Sequence, residues 1–168
     1  NEANKSWEEF RKANLMTASE LNEVAGSFER AGAAALMSSE ESSKVAMNFK
    51  QQGLVLNESN KELIETTGKI ATVFNVDLGR AAGFVARQYQ YLGITGDKLE
   101  YGMGRMSTTM RVLGVTGEEG LKTFEALGSS ISLIFGRGDK QGFAFTESMF
   151  RLTGVMKGMG LTSNGVAN

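Results

Sequence analysis

Two short stretches constrain this chain more than anything else in it: Leu92-Gly93-Ile94-Thr95-Gly96-Asp97 and Leu113-Gly114-Val115-Thr116-Gly117-Glu118. In each, a glycine closes one run, an aliphatic residue follows, and a threonine opens the next. Glycine adopts the left-handed conformation that ends helices, and a threonine hydroxyl accepts a hydrogen bond from an unpaired amide of the following first turn. Gly93 and Gly114 are 21 residues apart (114 − 93), which leaves room for one helix of about four turns between them.

The same punctuation recurs along the chain. Ser6 with Glu9, Thr17 with Glu20, Ser38 with Glu41, Ser59 with Glu62 and Thr116 with Glu119 fit the pattern in which a hydroxyl caps a helix and a carboxylate three residues on reaches back. Thr95 lacks the reciprocal carboxylate, and Asp77, Asp139 and Thr162 are weaker starts. Gly32, Gly53, Asn75, Gly93, Gly114, Gly136 and Gly160 are the matching stops. Between these marks the apolar residues step by three and four. Leu21, Val24, Phe28, Ala31 and Ala35 do so, as do Leu99, Met103, Met106, Met110 and Leu113. No stretch sustains the alternation of a strand. The spacing predicts an all-α fold, an array of about seven short helices joined by Gly/Thr-capped turns into antiparallel helical hairpins. Residues 1–57 are richer in Ser, Glu, Asn and Lys and carry thinner stripes, so they are expected to be exposed or partner-dependent. Residues 58–168 form the Gly-punctuated repeat region.

Composition narrows the chemistry. There is no histidine, so the commonest general base and transition-metal ligand are missing, and no cysteine, so neither a thiolate nucleophile nor a disulfide is available. There is no proline, and the 21 glycines supply the breaks instead. Eighteen basic and nineteen acidic residues nearly cancel, leaving no electrostatic footprint for specific nucleic acid. No apolar run approaches the length of a membrane-spanning helix. The opening Asn1 and the helix-like close at Thr162-Ser163-Asn164 read as a segment cut from a longer polypeptide.

Candidate sites are those of packing rather than catalysis. Gly79 and Gly83, one turn apart, would let another helix approach closely. Met103, Met106 and Met110 line one helix face, suited to a core or to an adaptable partner groove. Gly93, Thr95, Gly114, Thr116 and Glu119 carry the helix-turn motif. Gly136-Arg137-Gly138-Asp139-Lys140 lacks the lysine-hydroxyl ending of a phosphate loop and reads as a helix-to-helix turn. Neither a nucleophile-base-orienter set nor a cofactor or metal site emerges, and the expectation is a non-enzymatic protein.

From Leu63 to Gly165 the chain resembles tape measure proteins of tailed bacteriophages. The resemblance rests on Phe74-Asn75-Val76-Asp77-Leu78 and on the Gly93 and Gly114 turns, each an apolar, glycine-like, aliphatic, hydroxyl or acidic sequence leading into a helix. It implies a virion protein of the tail lumen or tip, made in the host cell during assembly and present in several copies. Such a protein takes part in tail assembly, length determination and genome ejection. The implied partners are tail tube, tail tip or hub and assembly-chaperone proteins, with membrane contact only after ejection. A chain that folds back every twenty-odd residues makes a poor ruler, so a compact or terminal section is expected. The alternatives are a helical-repeat interaction module of another large assembly or secreted effector, and a membrane-active helical segment.

Overall fold

The computed structural model describes residues 2–92, 100, 103, 104, 107, 108, 111, 112 and 114–135. Among them are six helices and no strand: α1 (Glu2–Ala13), α2 (Ala18–Ala33), α3 (Ser39–Gln51), α4 (Glu62–Phe74), α5 (Leu78–Leu92) and α6 (Gly117–Phe135). The described residues are all-α, as the periodicity predicts. Two compact units are present, one of Asn1–Ala71 with Asp77–Ala86, the other of Thr72–Val76 with Arg87–Asn168.

In the first unit α1 and α2 both pack on α3 and touch each other. Three aromatic rings close the contact. Phe10 meets Trp7 and Phe28 edge-on at centroid separations of 5.6 and 6.1 Å, and Trp7 lies tilted against Phe28 at 6.2 Å. Trp7, Phe10, Phe28, Val45 and Phe49 are buried, each worth on the order of 1.5–3 kcal/mol for its removal from water. Leu63, Ile64 and Ile70 of α4 and Ala81, Ala82, Phe84 and Val85 of α5 are buried as well.

The helix starts show where local signals prevail. Ser38 caps α3 with the full reciprocal pair: its hydroxyl accepts from the Glu41 amide at 3.1 Å, and its own amide donates to the Glu41 carboxylate at 3.0 Å. Thr17 caps α2 and Thr116 caps α6 through their hydroxyls, at 3.1 and 3.3 Å. The Asp77 carboxylate caps α5, accepting from the Arg80 amide at 2.7 Å. Two expected starts are displaced. Ser6 is buried inside α1, which already runs from Glu2. Ser59 donates its hydroxyl to Asn57, and the entry to α4 is built by Asn57 and Asn60 instead.

The stops hold a larger correction. Gly53, Asn75 and Gly114 have left-handed backbones, at φ 83°, 53° and 70°. Gly32 does not end α2. It is a buried residue of that helix, and the left-handed residue after α2 is Leu36, at φ 62°. Leu15 plays the same part after α1, at φ 55°. Both leucines are more than nine-tenths exposed, and a non-glycine residue in this region costs about 1–2 kcal/mol. The return hydrogen bonds that terminate helices are in place: Met16 donates to Arg11, Met37 to Gly32 and Leu54 to Phe49, at 3.0, 3.0 and 2.9 Å.

Gly32 is glycine for want of space. A Cβ there would lie 1.9 Å from the Ser42 hydroxyl oxygen on α3. Gly68 of α4 is similar, its absent Cβ falling 2.6 Å from Ala35 Cβ and 3.2 Å from Met37 Cε in the α2–α3 turn. Gly79 is exposed, with nothing nearer than 3.4 Å, while Gly83 is buried.

In the second unit α6 begins hard against the end of α4. A Cβ on Gly117 would lie 1.9 Å from the Phe74 carbonyl oxygen. Leu121 and Phe124 are buried, and the Arg87 guanidinium pairs with Glu125, with Nε 2.7 Å from the carboxylate. Gln88 is buried, and among the described residues neither end of its amide finds a hydrogen-bond partner.

Candidate functional site

Of the helix-turn residues, Gly114, Thr116 and Glu119 occupy the turn and first turn of α6, with Gly114 and Thr116 exposed. Gly93 and Thr95 lie outside the described residues, as do Met106 and Met110. Met103 is buried, at 2% exposure.

A three-residue unit recurs at four of the five described turns, the α3–α4 turn at Gly53-Leu54-Val55 being the exception: a left-handed residue, an apolar residue, then a capping oxygen. It appears as Leu15-Met16-Thr17, Leu36-Met37-Ser38, Asn75-Val76-Asp77 and Gly114-Val115-Thr116. Two copies meet in the second unit. Val73, Phe74, Asn75, Ser107, Arg111, Val115 and Gly117 line an open cleft of about 210 Å³. Val73 is half exposed at its rim, and Val112 beside Arg111 is 80% exposed. The Ser107 hydroxyl donates to the Gly104 carbonyl at 2.7 Å. This notch offers apolar rims and one guanidinium, the makings of a contact surface rather than of an enclosed substrate site.

Two polar clips in the first unit went unseen in the sequence. The Trp7 indole donates to the Ser39 hydroxyl at 3.0 Å, which donates to Glu29 at 2.8 Å, so that α1, α3 and α2 are joined in series. The buried Ser27 hydroxyl donates to Glu58 at 3.1 Å and accepts from the Lys61 ammonium at 2.8 Å, while Lys61 pairs with Glu58 at 2.8 Å. A serine beside a lysine invites comparison with hydrolytic dyads, in which a neutral amine takes the hydroxyl proton. Here the lysine donates to both neighbours, bridging the serine hydroxyl and the carboxylate. Hydrogen bonds from Lys61 and then Ser27 hold the Glu58 carboxyl below the usual range. The cluster fastens the segment before α4 to α2. Partners 31 and 34 residues apart leave no local signature.

Among the described residues no group of three or more carboxylates is placed to hold a metal, and no helix is long and apolar enough to cross a membrane. Comparison with protein-family models, with curated proteins and with solved structures finds no match.

Proposed function

We propose that this chain is a non-enzymatic structural segment of a tailed-phage tape measure protein, a compact section of the tail lumen or tip. The observation that carries the reading is the recurrence of one turn unit, in which the same apolar and capping positions follow a left-handed residue four times. Such an array repeats a mechanical element. The finer architecture we propose is about seven helices in antiparallel hairpins, with the notch around Arg111 and Val112 facing a tube, tip or assembly-chaperone protein or another copy of the chain.

Helices of 12 to 19 residues span about 18–28 Å, so this section does not itself measure length. Its part is to seat the longer protein during assembly, with any membrane contact following ejection. Mass spectrometry of purified tails tests the assignment. Peptides of this chain in stoichiometric amounts support it, and their absence from intact virions overturns it.

One observation favours a second reading, a helical interaction module of another assembly or effector. The Trp7–Phe10–Phe28 cluster closes a core within the first unit, as a module that folds by itself requires. Capture of a non-viral partner by the full chain, with no counterpart in tails, would select it.

A further inference from the structure

The turn between α2 and α3 is made of residues that prefer not to turn. Ala34, Ala35, Leu36 and Met37 are among the strongest helix formers, yet they bridge two packed helices with Leu36 left-handed at φ 62° and 94% exposed. No proline prevents a helix from running through them. The apolar stripe is also in phase across the break. Phe28, Ala31 and Ala35 precede it, Ser42, Val45 and Phe49 follow, and Ala35 and Ser42 stand one heptad apart. Straightening the turn therefore leaves every buried face pointing the same way. The folded-back form is held by Gly68 of α4 against Ala35 and Met37 and, locally, by the Ser38–Glu41 cap.

We propose that the α2–α3 turn is a domain-swapping hinge. In the open form residues 18–51 make one continuous helix, and α1 and α2 of one copy pack on α3 of a second, remaking between chains the contacts they make within one. Short, strained hinges joining self-complementary surfaces favour this exchange, and the second copy supplies the one surface certain to fit. The proposal stands apart from the assembly reading and would survive its failure.

Leu36 is the site for the test, because its side chain touches almost nothing. The full chain is unfolded in urea, refolded at high concentration and followed by sedimentation velocity. Wild type is expected to yield a dimer. Leu36→Gly relaxes the closed turn and weakens the continuous helix at two hinges per dimer, so it should raise the dimer dissociation constant about 100-fold or more. Leu36→Ala keeps the helix preference and should stay within about tenfold of wild type. Spin labels on Glu20→Cys and Gln51→Cys, unique because the chain has no cysteine, are read with labelled chains diluted into unlabelled ones. The dimer should show an intrachain separation of about 47 Å, and the monomer one well under half that. A wild type that stays monomeric, a dimer that keeps the short separation, or Gly and Ala variants that dimerise alike would each overturn the proposal.

Discussion

Replacing Gly32 by alanine sets two effects of known sign against each other. Were Gly32 a helix stop, its contact with α3 would be irrelevant. As an interior residue of α2 it should gain up to about 1 kcal/mol of helix preference on becoming alanine. The new methyl, however, would fall 1.9 Å from the Ser42 oxygen and 3.0 Å from Ser42 Cβ. Overpacking of this kind costs about 1–3 kcal/mol, so the net expectation is a loss of about 1–2 kcal/mol. Ser42 offers the control. Its hydroxyl is buried and finds no partner among the described residues, and Ser42→Ala should therefore stabilise by about 1 kcal/mol, because an unpaired buried hydroxyl carries its desolvation cost for nothing. In the Ser42→Ala background the worst contact is gone, and the cost of Gly32→Ala should fall by about 1 kcal/mol, the coupling that the cycle reads. Urea unfolding followed through the only tryptophan, the buried Trp7, reads all four corners of the cycle. Additivity within about 0.4 kcal/mol, or a stabilising Gly32→Ala, would refute the close seat between α2 and α3.

Gly117→Ala places a methyl 1.9 Å from a backbone carbonyl that no rotamer change can move; a loss of about 2–3 kcal/mol in the second unit is expected, seen as faster hydrogen exchange along α6. Leu15→Asn keeps an exposed position exposed while relieving a left-handed leucine, and should raise stability by about 0.5–1 kcal/mol in the same urea assay. Glu58 should titrate below an ordinary glutamate when its side-chain carbon is followed by NMR, with Lys61→Met raising the midpoint more than Ser27→Ala does. Because the folded value is the lowered one, the clip is intact above the unfolded value and is lost as pH falls through the folded one. A midpoint unmoved by Lys61→Met would contradict the geometry.

What could be read in advance was local. Ser38 and Glu41 sit three residues apart and make their pair with no help from the rest of the fold, and Thr17, Thr116, Gly53, Asn75 and Gly114 act as their residue types direct. The failures came where a distant contact outweighs a neighbour. Gly32 looks like a stop because glycine usually is one, whereas here α3 occupies the place of its side chain. Leu15 and Leu36 carry no turn signal whatever. Leu36 turns where Met37 packs against Gly68 and Ser38 caps the next helix. Ser59 has the right spacing to Glu62, but Asn57 draws its hydroxyl away. The Arg111 cleft is assembled from stretches about forty residues apart, a separation over which spacing says nothing.

The three tight glycines have a bearing on how this protein tolerates change. A redesign that raised helix preference by swapping Gly32, Gly68 and Gly117 for alanine would improve every rod taken singly and spoil the object they make together. Its uniqueness is written partly in missing methyl groups, so the most conservative edit on any substitution scale is here among the least forgiving.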